Sequence, residues 1–168
     1  MELKQLKKII KRWDSAQLSH AYRTWVVRMQ DQEDQEISER FNKQISAVLK
    51  EWSGRTEHTD ITDFGRPELG MLKVMGYTVG VEGLKANTRR RIIEDIIANP
   101  LPLVGNPSYM HEWGDVNSLK RINKLKKCFK GFIYGGLHAR HIEALQDWQD
   151  DLEWLSKKTS RVTIDDAK

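Results

Sequence analysis

Apolar residues recur at helical spacing along most of the chain, and this period restricts it to helical architectures. Leu3, Leu6, Ile9, Ile10 and Trp13 fall on one side of a helix at about 100° per residue, with Lys4, Lys7, Lys8 and Lys11 opposite. A second segment, about 16–30, lines up Leu18, Tyr22, Trp25, Val26 and Met29. A third, about 34–53, lines up Ile37, Phe41, Ile45, Val48 and Trp52, and Gly54 stops it. Short polar breaks join these three, which predicts a three-helix unit.

The stretch GRTEHTDITDFGRP (54–67) has no period and reads as a loop, and Pro67 opens a short helix that ends at Gly76. GYTVGVEG (76–83) fits either a small strand pair or a glycine-hinged turn. Ile92, Ile93, Ile96 and Ile97 mark a helix over 85–98, closed by Asn99 ahead of Pro100. LPLVGNP reads as an ordered loop, and 108–114 as a short helix with a glycine stop. A long helical run starts at Ser118, has a break point at Gly135-Gly136, and continues to about Ser156. The expected fold is an all-α helical bundle: an N-terminal unit (1–53), a connecting loop (54–66), a C-terminal helical region with a long last helix (67–157), and a frayed tail (158–168).

Composition narrows the class. With 168 residues, 31% charged and 39% hydrophobic, the chain suits a soluble globular protein with a sizeable core. No apolar run approaches the roughly 20 residues that span a bilayer. The N-terminus has no continuous apolar stretch and does not read as a secretory signal. The single cysteine, Cys128, excludes an internal disulfide and fits a reducing compartment, so the expected location is cytoplasmic. The net charge of +4 is unevenly spread. Residues 1–83 balance; 84–141 carry eleven basic against four acidic side chains; 142–168 carry four against seven. Such a layout points to an anion-binding surface, or to opposite patches that join proteins.

The basic block centres on NSLKRINKLKKCFKGF (117–132), which has six Lys or Arg in eleven positions and no acid. Leu119, Ile122, Leu125, Phe129, Phe132 and Ile133 form an apolar arc, and Lys120, Lys124 and Lys127 stand almost opposite. Lys126 and Lys130 flank that line, and Arg121 borders the arc. Like charges one turn apart repel by a few tenths of a kcal/mol per pair, which an anionic partner would relieve. With the short helix before it, the segment has the outline of a helix-turn-helix. In that reading Asn117, Ser118, Lys120, Arg121 and Lys124 occupy the first turns of a recognition helix, although Asn117 or Ser118 is equally well explained as an N-cap. In TRRR (88–91), Arg90 and Arg91 extend the basic surface, while Arg89 projects over the isoleucine stripe and either snorkels or pairs with an internal carboxylate.

Catalytic constellations are thin. His138 and His141 are three apart, yet no further ligand joins them at a standard spacing, and His141 falls on an apolar stripe as a packed core histidine. Cys128 lies at the edge of the apolar arc without a catalytic partner. Neither a phosphate-cradling glycine loop nor a nucleophile elbow occurs, so no metal, cofactor or catalytic residue is expected. Trp13, Trp25, Trp52 and Trp148 lie on apolar stripes, and Trp113 anchors a turn. Trp154 projects to the side carrying Glu143, Asp147 and Asp150, where it serves as a contact anchor for a partner or is covered by the tail.

The run ANPLPLVGNPSYMHEWGDVNSLKRINKL, followed by DWQDDLEWL, resembles a region of uncharacterised bacterial proteins over roughly residues 69–157. Leu101-Pro102, Tyr109, Trp113-Gly114, Ser118 and Arg121 carry the resemblance. It implies a bacterial or phage origin and transfers no activity. The leading expectation is a non-enzymatic nucleic-acid-binding protein, or a nucleic-acid-facing subunit of a complex, that grips DNA or RNA phosphates with helix 118–130, helped by the basic face of the first helix. The alternative is an adaptor that contacts protein subunits, or itself, through its basic middle and acidic last helix.

Overall fold

The computed structural model describes residues 1–57, 70–135 and 141–165, and among them the fold is an all-α bundle without strands. Three helices form the first layer: α1 (Leu3–Ile10), α2 (Ser15–Met29) and α3 (Gln35–Ser53). Asp14 starts α2 by accepting from the Gln17 N–H at 2.7 Å, and the Gln17 side chain returns the bond in a capping box. Asp34 caps α3 through the Ile37 N–H. α1 runs parallel to α3, because Arg40 and Gln44 donate to the Met1 carbonyl at one end. At the other end Arg55 donates to the carbonyls of Ile10 and Lys11.

Five helices follow: α4 (Gly70–Val74), α5 (Ala86–Ala98), α6 (Pro107–Trp113), α7 (Leu119–Tyr134) and α8 (Ile142–Asp165). α7 pairs with α8, α6 lies on α7, and α5 touches both α8 and α2. One apolar core runs from Leu6 and Trp52 through Met71 and Ile93 to Phe129 and Leu155. The Tyr22 hydroxyl donates to the buried Asp95 carboxylate at 2.8 Å, so α2 and α5 are joined by a polar bond as well as by packing. Burial raises the pKa of Asp95, while Arg91 and the Tyr22 bond pull it back.

Several local expectations change. The long helical run breaks after Tyr134, at the expected Gly135-Gly136 point, but α8 continues to Asp165 instead of ending near 156. The residues just past Ser156 are held: Lys158 pairs with Glu94 on α5, and Lys126 donates to the Thr159 hydroxyl at 2.9 Å. His141 is exposed, because the break leaves it just ahead of α8, where its carbonyl accepts from the Leu145 N–H. His138, Pro67 and most of the expected 54–66 loop lie outside the described residues. GYTVGVEG is a turn, not a strand pair: Gly83 N–H bonds to Gly80 O, and Leu84 N–H to Thr78 O. A Cβ at Gly83 would sit 2.4 Å from the Val79 carbonyl carbon, so the turn closes only around glycine. Ile9 and Leu119, placed on apolar stripes by periodicity, are 41% and 67% exposed, because both sit at helix ends where neighbours run out.

Candidate nucleic-acid interface

The basic helix α7 begins where the sequence places it. The Ser118 hydroxyl accepts from the Arg121 N–H at 3.2 Å and caps the helix. Asn117 adopts a left-handed backbone (φ 57°) and donates its N–H to Ile97 O at 2.9 Å. Gly114, at φ 66°, completes the α6–α7 turn; a Cβ there would press on Lys120 and on the Ser118 hydroxyl at 3.0 Å. The helix-turn-helix outline therefore exists as a connection between two packed helices.

Its cations are not the exposed row that periodicity implies. Arg121 is 4% exposed and donates to five carbonyls: Asn99 (2.6 Å), Gly114 (2.7 Å), Ile96 (3.0 Å), Trp113 (3.4 Å) and Ile97 (3.5 Å). It ties the C-terminal end of α5, where carbonyls lack helical partners, to the α6–α7 turn, and cannot touch a ligand. Lys124 is drawn back onto α6, paired with Glu112 and lying over the rings of Tyr109 and Trp113. Burial works against its charge, but the Glu112 bond and neighbouring groups leave its pKa raised. Only Lys120, Lys127 and Lys130 of the predicted cation set on α7 are exposed. Tyr109, Trp113 and Arg121 thus build a scaffold: the Tyr109 hydroxyl accepts from Met71 N–H at 2.8 Å, Trp113 is buried, and Arg121 clamps.

Lys124 and Lys127 should separate in stability measurements. Lys124→Gln is expected to cost about 1 kcal/mol through its lost ring and carboxylate contacts. Lys127→Gln should stay within about 0.5 kcal/mol of the parent. Equal urea midpoints for the two variants would contradict the inward placement of Lys124.

The other predicted contacts are also engaged within the chain. Arg90 lies over the Trp154 ring at 5.6 Å and 3.6 Å from Asp151. Arg91 bonds to Asp95 at 2.9 Å and to the Asn42 amide oxygen. Trp154 is half-buried between Arg90 and Lys158, not a free-standing anchor, because α8 extends far enough to bring Lys158 over it at 5.1 Å. Arg89 is buried as expected, with Asp151 at 2.7 Å and Asp147 at 3.1 Å. Tyr77 donates to the same Asp151 at 2.6 Å, and burial first, then Asp151, raises its pKa far above the usual phenol range. Burial pushes the Cys128 thiol up as well, which disfavours the thiolate a nucleophile needs. Among the described residues no three His, Cys, Asp or Glu side chains group as a metal site.

A different surface gathers free cations. Between α1 and α3 lie two adjoining depressions of about 610 and 510 Å³ that share Lys7, Ala47 and Lys50. Lys43 and Arg91 line the first, and Lys4, Lys8 and Lys11 the second. Lys4, Lys7, Lys8, Lys11, Lys43 and Lys50 are all exposed, and none has an ion pair within the described residues. Two carboxylates line the groove, Glu39 and Glu51, and Glu51 is held by Arg55 at 3.0 Å. The sequence reading had the lysines of α1 but missed Lys43 and Lys50; their spacing of seven, one face of a helix, was the available signal. No helix among the described residues is long and apolar enough to cross a membrane. No protein-family model, curated protein or solved structure matches this chain.

Proposed function

We propose that the protein binds nucleic acid through its phosphate backbone, without sequence preference and without catalysis, and that the α1–α3 groove is the gripping surface. The observation that carries this reading is the convergence of six lysines without ion-pair partners on one groove. Such cations repel one another until an anion neutralises them, and releasing the counterions of a polyanion supplies the binding free energy. Lys120, Lys127 and Lys130 on α7 form a second, sparser set of exposed charges.

The adaptor alternative draws less support, because much of the acidic face of α8 is occupied internally. Asp147 accepts from Gly80 N–H and pairs with Arg89; Asp151 holds Arg89 and Tyr77; Glu153 pairs with Lys157.

The test is a triple variant, Lys7→Gln, Lys43→Gln and Lys50→Gln, titrated against nucleic acid over a range of salt. These side chains are exposed, so the melting transition should be unchanged within about 0.5 kcal/mol per site. Affinity should fall for every sequence tried, and the log–log salt slope should flatten by up to about three units. An unchanged slope in this variant, with a flattened one in Lys120→Gln/Lys127→Gln, would move the interface to α7.

A further inference from the structure

We infer that the ligand of the α1–α3 groove is a B-form DNA duplex, held by its two phosphate rows across the minor groove; this rests on the nucleic-acid reading above. The groove is built from two parallel helices pinned at both ends. Arg40 holds the start of α1 through the Met1 carbonyl at 2.9 Å, and Arg55 holds its end through the Lys11 carbonyl at 3.0 Å. Packed helix axes lie about 8–10 Å apart, so the lysines of α1 and α3 stand as two separate rows. Ala47, small and shared by both depressions, lies between the rows as a low floor. Along α3 the lining runs from Glu39 to Gly54, which at helical rise is a straight edge of about 22 Å.

Two straight cation rows match two phosphate rows. A single strand presents one row and bends freely, whereas B-DNA brings two together across a minor groove about 6 Å wide. A-form RNA spreads its rows across a wide, shallow minor groove, and its narrow groove is deep, so it fits these rows poorly. The chemistry of the lining agrees. None of the groove residues is aromatic, so the stacking platform that single-strand binders use is missing from it. The amide that lines it, Asn42, has its oxygen engaged by Arg91, so it cannot make the bidentate contact that reads adenine.

The experiment is fluorescence anisotropy on the full chain with three probes of one sequence: a DNA duplex of about twenty base pairs, one of its strands, and the corresponding RNA duplex. The DNA duplex should bind tightest at every salt concentration, with a slope near −0.9 per phosphate contact. The variant Lys7→Gln/Lys50→Gln, which removes one cation from each row, should flatten that slope by about two units. A strand that binds as tightly as the duplex, or an RNA duplex that equals the DNA duplex, overturns the inference and leaves the nucleic-acid reading standing. Failure of all three probes to bind overturns that reading itself. A duplex slope that the double variant leaves unchanged removes the groove from the interface.

Discussion

Arg121→Leu is expected to lower the unfolding free energy by about 3–5 kcal/mol, a large share of the stability of an ordinary domain. The guanidinium satisfies carbonyls from the end of α5 and from the α6–α7 turn. Leucine fills part of the volume but leaves the buried Ile96 carbonyl and the part-buried Asn99 and Gly114 carbonyls without this donor. Arg121→Lys should recover only part of the loss, about half, because a single ammonium cannot span the fork of five bonds. Urea denaturation of both variants checks this, read against salt-titrated DNA binding. If Arg121→Leu unfolds within about 0.5 kcal/mol of the parent yet loses DNA binding, Arg121 is a contact residue and its buried placement is wrong.

Asp151→Ala should be comparably damaging, at about 3–5 kcal/mol, for the opposite reason. Asp151 is fully buried and accepts from Arg89 and from the Tyr77 hydroxyl, so its removal leaves a buried cation with Asp147 as its one remaining carboxylate beside the Leu84 carbonyl, and a phenol that has lost its acceptor. The pair can be tested as a pair. Arg89→Met/Asp151→Leu removes both charges, and its stability should exceed that of Asp151→Ala by about 1–4 kcal/mol, since apolar replacement of a buried ion pair is often neutral or better. A double variant as unstable as the single one would mean that packing of α5 on α8, not the unpaired charge, carries the loss. Tyr77→Phe isolates the remaining hydrogen bond and should cost about 1 kcal/mol.

Both residues show how differently two basic stretches could be read. Arg89 lies over a run of isoleucines, and periodicity leaves it to snorkel or to meet an internal carboxylate; the structure pairs it with Asp151. Arg121 borders the apolar arc of its helix, and the same geometry turned it inward, but the carbonyls it meets come from residues 96–99 and 113–114. Backbone acceptors have no letter in the sequence, so that partner set was invisible and the residue passed for a surface cation. Lys124 was misplaced for a related reason: Glu112, Tyr109 and Trp113 sit on α6, and only the turn at Gly114 folds them back over it.

By itself the sequence determined the all-α class, most of the buried stripes, the close of α5 at Asn99 and the break point near Gly135, because each depends on spacing within one helix. The tertiary structure alone decided which cations are free. A helical wheel reports which side of its own helix a lysine occupies, not what another helix brings to that side. Packing spent Arg90, Arg91, Arg121 and Lys124 on internal partners. The same packing laid α1 beside α3 and brought lysines from both to one groove, a surface that neither helix has alone.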